Sequence, residues 1–220
     1  MDLPASPTRT EPAPPTAPFR LGVVLLAAGA SMRMGKPKLL LPWGETSVLG
    51  HLLQQWRRLG PEQIAVVSSA ASTALDPELA QHGVGQDDRI FNLHPEQGMF
   101  SSVQSAARWN GWHEWITHWA LVLGDQPQIG METLRQVLTF AQSQPGQVCQ
   151  PSYRHRPRHP VVLPKPFWQR LADASETTLK QFLLAQPETT ALIEIADPAL
   201  DLDLDTPDEY ASALRRFVPN

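Results

Sequence analysis

Residues 21–40 read LGVVLLAAGASMRMGKPKLL, and the change of character at Gly29 decides the fold. Val23, Val24, Leu25 and Leu26 form a short continuous apolar run, the pattern of a parallel strand buried on both faces. The small residues Ala27-Ala28-Gly29-Ala30-Ser31 follow, and these let a backbone approach a ligand and turn N–H groups toward an anion. Arg33, Lys36 and Lys38 come next, within ten residues of Gly29. A strand running into a small-residue turn with three basic side chains reads as a phosphate cradle. It carries neither the Lys-Ser/Thr of the P-loop nor the Gly-x-Gly-x-x-Gly of dinucleotide folds.

Outward from the cradle the period changes. Val48, Leu49, Leu52, Leu53, Trp56 and Leu59 recur at helical spacing behind a Thr/Ser cap at Thr46, and Gly60-Pro61 ends the element. A strand from Ile64 to Val67 follows, so buried strand, helix and buried strand make a βαβ unit of an open parallel sheet. Its right-handed crossover places ligand loops at the carboxyl ends of the strands. Further strands are expected over Arg89–Leu93, Ala120–Leu123, Gln147–Ser152 and, edge-like, Ala191–Ala196. Helices are expected over Met131–Ala141, Lys165–Ala172 and Thr178–Leu184. Trp109, Trp112, Trp115 and Trp119 lack a basic surround and read as a hydrophobic hinge. The fold class is α/β: a Rossmann-like, mostly parallel sheet with helices on both faces and a small peripheral α+β portion.

The 220 residues suit one large domain or a domain with a small appendage. A net charge of −4 excludes general attraction to nucleic acid or anionic membranes, so any anion site must be local. No apolar run approaches the roughly 18 residues that span a bilayer. Asp2 and Glu11 leave the N-terminus without a signal-peptide core. Cys149 alone forms no internal disulfide and reads as a core residue, which fits a reducing cytoplasm. Residues 1–18, with prolines at 4, 7, 12, 14, 15 and 18, read as a disordered arm.

The segment Leu26 to Gly35, followed by Lys38, resembles the L-A-A-G-x-S-x-R-M-G-x-x-K signature of the MobA-like nucleotidyltransferase superfamily, and within it the chain is most similar to the molybdenum cofactor cytidylyltransferases. The resemblance covers about residues 20–217, taking in a nucleotide half of about 19–145 and an acceptor half of about 146–220 within one domain, 19–220. It implies nucleotide contacts at Leu26, Ala27, Ala28, Gly29, Ser31, Arg33 and Lys38. His94 to Ser102 resembles the N-P-x-x-x-G-x-x-x-S loop, which implies base recognition by Gln97, Gly98, Ser101 and Ser102, although His94 replaces the asparagine. Ser101 and Ser102 serve equally well as caps of the helix toward Trp109.

Gly124-Asp125-Gln126-Pro127 matches the family's Gly-Asp-x-Pro, and a carboxylate at the end of a central strand stands where a phosphate-bridging cation needs an oxygen ligand. In Tyr153–Val161 the family's Gly-His-Pro turn becomes Arg158-His159-Pro160. Arg156 and Arg158, with His159, either receive the phosphate of a second substrate or form a solvated basic hairpin. Leu200 to Asp205 alternates at period two, placing Asp201, Asp203 and Asp205 on one face before a helix that begins at Pro207. The D-x-D-T-P-D-[DE] ending is that of the family, making Asp205, then Asp203, the second cation ligand; an acidic edge strand that resists aggregation is the rival reading.

Together these imply transfer of CMP from CTP onto the phosphate of the molybdenum-molybdopterin cofactor with Mg2+, Arg33, Lys38 and Asp125 being catalytic, in the service of a molybdenum hydroxylase of the xanthine dehydrogenase type. Ala28 in the place of a guanylyltransferase glycine favours CTP over GTP. A sugar or polyol phosphate acceptor, or a non-catalytic cofactor insertion factor, are the alternatives.

Overall fold

The structure, a computed structural model, describes residues 18–29, 37–69, 73–186 and 189–218. Ser31, Arg33 and the Pro-rich arm to residue 17 therefore lie outside the described residues. In chain order the elements are β1 (Leu21–Leu26), β2 (Pro42–Trp43), β3 (Thr46–Ser47), α1 (Val48–Arg57), β4 (Gln63–Ser69), α2 (Asp76–Gln81), β5 (Arg89–Asn92), α3 (Met99–Arg108) and β6 (His118–Leu123). They continue with α4 (Met131–Ser143), β7 (Val148–Tyr153), β8 (Arg156–Pro157), β9 (Val161–Pro164), α5 (Lys165–Leu171), α6 (Leu179–Leu184), β10 (Thr190–Glu194) and α7 (Pro207–Phe217).

The main sheet runs β10, β7, β9, β6, β1, β4, β5, with β8 hairpinned onto β7. β1 is parallel to both β4 and β6, and β9 runs antiparallel between β6 and β7. The chain thus builds β1, β4 and β5 outward in one direction, then crosses back to β6 on the other flank of β1. That reversal opens a crevice past the carboxyl ends of β1 and β6, where open α/β sheets take their ligands.

Every residue of β1 is buried because both faces of the sheet are covered. Val23 and Leu25 pack into the cluster shared with Leu49, Leu52 and Trp56 of α1, Leu134 and Val137 of α4, and Ala213 of α7. Val24 and Leu26 face the other cluster, with Phe100 and Val103 of α3, Trp168 of α5 and Phe182 of α6. The α/β class with helices on both faces is what the buried run at Val23 required. The tryptophans form the expected hydrophobic junction: Trp119 stacks on Trp168 at 5.0 Å, and Trp112 meets both edge-on. Trp115 is the exception, half exposed and stacked on His113.

One expectation fails. Leu200–Asp205 is not a strand: Pro198–Asp201 is a 3-10 turn, and 202–205 has no ladder pairing. Leu200 and Leu204 are buried, as the alternation requires. The Leu204 N–H donates to the Asp125 carbonyl at 3.2 Å and Gln128 Nε2 to the Leu202 carbonyl at 2.6 Å, which fasten the segment beside the end of β6.

Candidate active site

The crevice begins where β1 and β6 end. The Gly124 amide donates to the Leu26 carbonyl at 3.1 Å, extending the ladder by one residue. A side chain at position 124 would meet that carbonyl at 2.8 Å and Leu39 at 2.9 Å, so only glycine allows the two strand ends to come together. The next residue, Asp125, is thereby carried to the rim. The resulting cleft holds about 620 Å³, and its lining brings Ala27, Ala28 and Gly29 together with Lys38, Asp125, Gly98, Met99 and Ser102.

Lys38 lies on the short 3-10 turn after the cradle. Its ammonium donates to Asp125 Oδ2 at 2.8 Å and to Asp205 Oδ1 at 3.1 Å. Burial alone would pull its pKa down, but the hydrogen bonds and charges of Asp125 and then Asp205 outweigh it, and the pKa is raised. Lys38 is therefore a fixed positive charge. Asp203 is turned elsewhere, accepting from Gln126 Nε2 at 2.8 Å. Burial raises the Asp203 carboxyl, and the Asp125 and Asp205 charges add to this against the Gln126 bond.

The loop before α3 is organised by a residue that the sequence reading passed over. Asn92, almost fully buried at the end of β5, donates to Ser101 Oγ at 2.8 Å and to Ser102 Oγ at 2.9 Å. Ser101 also donates within the loop, to the Gly98 and His94 carbonyls, so its hydroxyl is committed. Ser102 lines the cleft and only accepts from Asn92, which leaves its proton free of any described acceptor. Neither serine caps the helix, contrary to the alternative reading: the cap is Gly98, at φ 90°, a conformation that favours glycine. Gln97 is exposed on the turn before it and is not in the cleft wall. A polar residue closing an apolar strand was the available signal for Asn92.

Met99 also lines a second cleft of about 680 Å³, so the two adjoin. Arg156, Arg158 and His159 border it. Arg158 is nevertheless engaged by Asp201 and donates to the Pro157 carbonyl at 3.1 Å, so it braces the hairpin to the acidic segment. His159 is kept below its usual pKa by burial and rests on the Leu121 carbonyl. Arg156 is exposed.

Among the described residues no group of three or more His, Cys, Asp or Glu side chains converges to hold a metal unaided, and no helix is long and apolar enough to cross a membrane. Cys149 is buried, and burial pushes its thiol up to about 11, so it is a core residue.

The description "MobA-like NTP transferase domain" matches residues 23–190. The molybdenum cofactor cytidylyltransferase of Escherichia coli is 26% identical over 199 residues, 89% of this chain and 96% of that protein. The crystal structure of Rv0371c from Mycobacterium tuberculosis H37Rv superposes with a TM-score of 0.72 at 26% identity, covering 90% of this chain and 98% of that one. The same mycobacterial protein in complex with manganese superposes at 0.65 with 24% identity, over 90% and 98%.

Proposed function

This chain belongs to the MobA-like NTP transferase family and is a nucleotidyltransferase, and on that premise we propose that it moves CMP from CTP onto the phosphate of the molybdenum-molybdopterin cofactor, releasing pyrophosphate. The observation that carries the reading is Lys38 holding Asp125 and Asp205 together at the Ala27–Gly29 cleft. The name of the Escherichia coli relative, matched along nearly its whole length, supports the choice of donor and acceptor. Ala28 supports CTP over GTP, a discrimination of about 1–3 kcal/mol for one methyl group.

The donor set suits Mg2+. Two carboxylate oxygens, hard ligands, already converge on one ammonium, and Mg2+ is commonly held by one or two carboxylates with substrate phosphates and water completing its shell. Asp125 and Asp205 would hold it, with Asp203, which accepts from Gln126, behind them. When bound, the ion supplies charge screening and polarisation of the α phosphate. The chain does the rest. Backbone N–H groups of Ala28 and Gly29 receive the triphosphate, and Lys38, with Arg33, opposes its outer phosphates. Ser102 offers its free hydroxyl proton to the base. The acceptor brings its own phosphate oxygen, so no protein nucleophile is needed, and catalysis consists of holding that oxygen in line with the pyrophosphate. The product would serve a molybdenum hydroxylase in the cytoplasm.

The test is pyrophosphate release by the purified chain with Mg2+ and either CTP or GTP, with and without molybdopterin. Release is expected with CTP only when molybdopterin is present. Turnover with a sugar phosphate in its place would overturn the acceptor, and equal turnover with GTP would overturn the base.

A further inference from the structure

The second cleft contains a polar group that the protein itself leaves unsatisfied. Its walls are largely apolar, with Met99, Val161, Leu179, Leu183 and Leu192 among them, and its volume of about 680 Å³ is in the range of small-molecule sites. The most buried polar residue lining it is Gln150 of β7, only 6% exposed. Gln150 shares its face of the strand with Val148 and pairs in register with Leu192 of β10. No described residue hydrogen-bonds its side-chain amide. Its amide is not among the polar groups sealed from solvent, so it opens onto the cleft with its hydrogen-bonding capacity available to a ligand. Thr190, on the same face of β10 as Leu192 and lining the same cleft, buries a hydroxyl that is also unpartnered. Lys180 of α6 and Arg156 of β8 are exposed cations bordering the cleft.

We propose that Gln150 is a specificity-determining residue that reads the edge of a flat heterocycle in the acceptor, while Lys180 and Arg156 receive the acceptor's anionic group. The inference rests on the acceptor reading above and names the part of the acceptor that is recognised. A glutamine amide presents one C=O acceptor beside N–H donors in a single plane, the complement of a lactam edge in which N–H stands beside C=O, as in a 2-amino-4-oxo pterin ring. Leucine walls and a polarisable methionine suit the faces of such a ring and do not suit a sugar, whose hydroxyls would need many more partners. Because Met99 belongs to both clefts, a ring lying here extends toward the nucleotide.

The full chain is titrated with fluorescent pterin-6-carboxylate and with its 3-methyl derivative, whose edge carries a methyl group where the N–H stood and so cannot be matched by either orientation of the amide. The wild type is expected to favour the pterin by about 10-fold or more, the equivalent of one good hydrogen-bonded contact. Gln150→Leu should erase that preference and weaken pterin binding by a similar factor, with its thermal midpoint little changed, since no hydrogen bond within the protein is lost. Lys180→Ala should weaken both probes alike and keep the preference. A Gln150→Leu protein that binds the pterin as the wild type does, or a wild type that does not bind it, overturns the assignment. A lactam preference without CTP-dependent pyrophosphate release would keep the Gln150 assignment and remove the transfer reading; release without the preference would do the reverse.

Discussion

Lys38 and Asp125, 87 positions apart in the chain, meet at 2.8 Å where β1 and β6 end. The same ammonium reaches Asp205, a further 80 positions on, at 3.1 Å. A basic residue following the cradle is thus tied to the two carboxylates proposed to hold the cation, and the two acids outnumber the one base.

Asp125→Asn is expected to preserve the fold and to lower turnover at saturating CTP by at least about 10²-fold, the usual cost of removing a charge-stabilising group from a transfer site. Circular dichroism and pyrophosphate release together check it. Unchanged turnover would reject the assignment of Asp125.

The two carboxylates of the acidic segment are expected to separate. Asp205 faces Lys38, while Asp203 is held by Gln126. Asp205→Asn should raise the Mg2+ concentration for half-maximal activity by about 10-fold or more, one lost ligand bond of about 1.4 kcal/mol, and Asp203→Asn by much less. A Mg2+ titration in which Asp203→Asn suffers more would reverse the assignment.

Gly124→Ala should destabilise by about 1–3 kcal/mol, the range for overpacking, because the added methyl meets the Leu26 carbonyl at 2.8 Å. Turnover should fall with stability, since the strain falls directly beside Asp125. A urea midpoint equal to the wild type would show that the strand ends have slack.

Stability should fall as pH drops below about 6.5, the unperturbed histidine value. Burial lowers the pKa of both His51 and His118, against the pull of the Pro127 and Pro145 carbonyls respectively. In that window the unfolded chain takes up protons that the native state resists, so unfolding is favoured as acid is added. Urea midpoints at pH 7.5 and 5.5 measure this, and His118→Gln should narrow the difference while His51 keeps part of it. Equal midpoints in the wild type would contradict it.

Much of the arrangement was legible because it is written in local pattern. The Val23–Leu26 run has no other stable place than the middle of a sheet covered on both faces, and the helical spacing of Leu49, Leu52 and Trp56 fixed α1 with Ser47 as its cap. Asp125 was visible because a carboxylate after a glycine at a strand end has a predictable position. Leu200–Asp205 misled because alternation encodes which side chains turn inward, and does not say whether the backbone finds a ladder; Leu200 and Leu204 do turn inward, and the main chain makes a 3-10 turn. Asn92 and Gln126 were opaque for another reason. Their tasks are set by Ser101, Ser102 and Asp203, whose proximity exists only once the loops are closed.

A nucleotidyltransferase of this build must take a triphosphate together with a divalent cation at Asp125. The most direct measurement is the thermal shift of the wild type and of Asp125→Asn with CTP alone and with CTP plus Mg2+. Ligand at about 100 times its Kd adds about 2.7 kcal/mol to native stability, a rise of about 5–10 °C for a chain of this size. The wild type should show that rise with CTP and Mg2+ and less with CTP alone, and Asp125→Asn should lose the Mg2+-dependent part. A shift that Mg2+ does not enlarge, or one that survives intact in Asp125→Asn, would contradict the central claim.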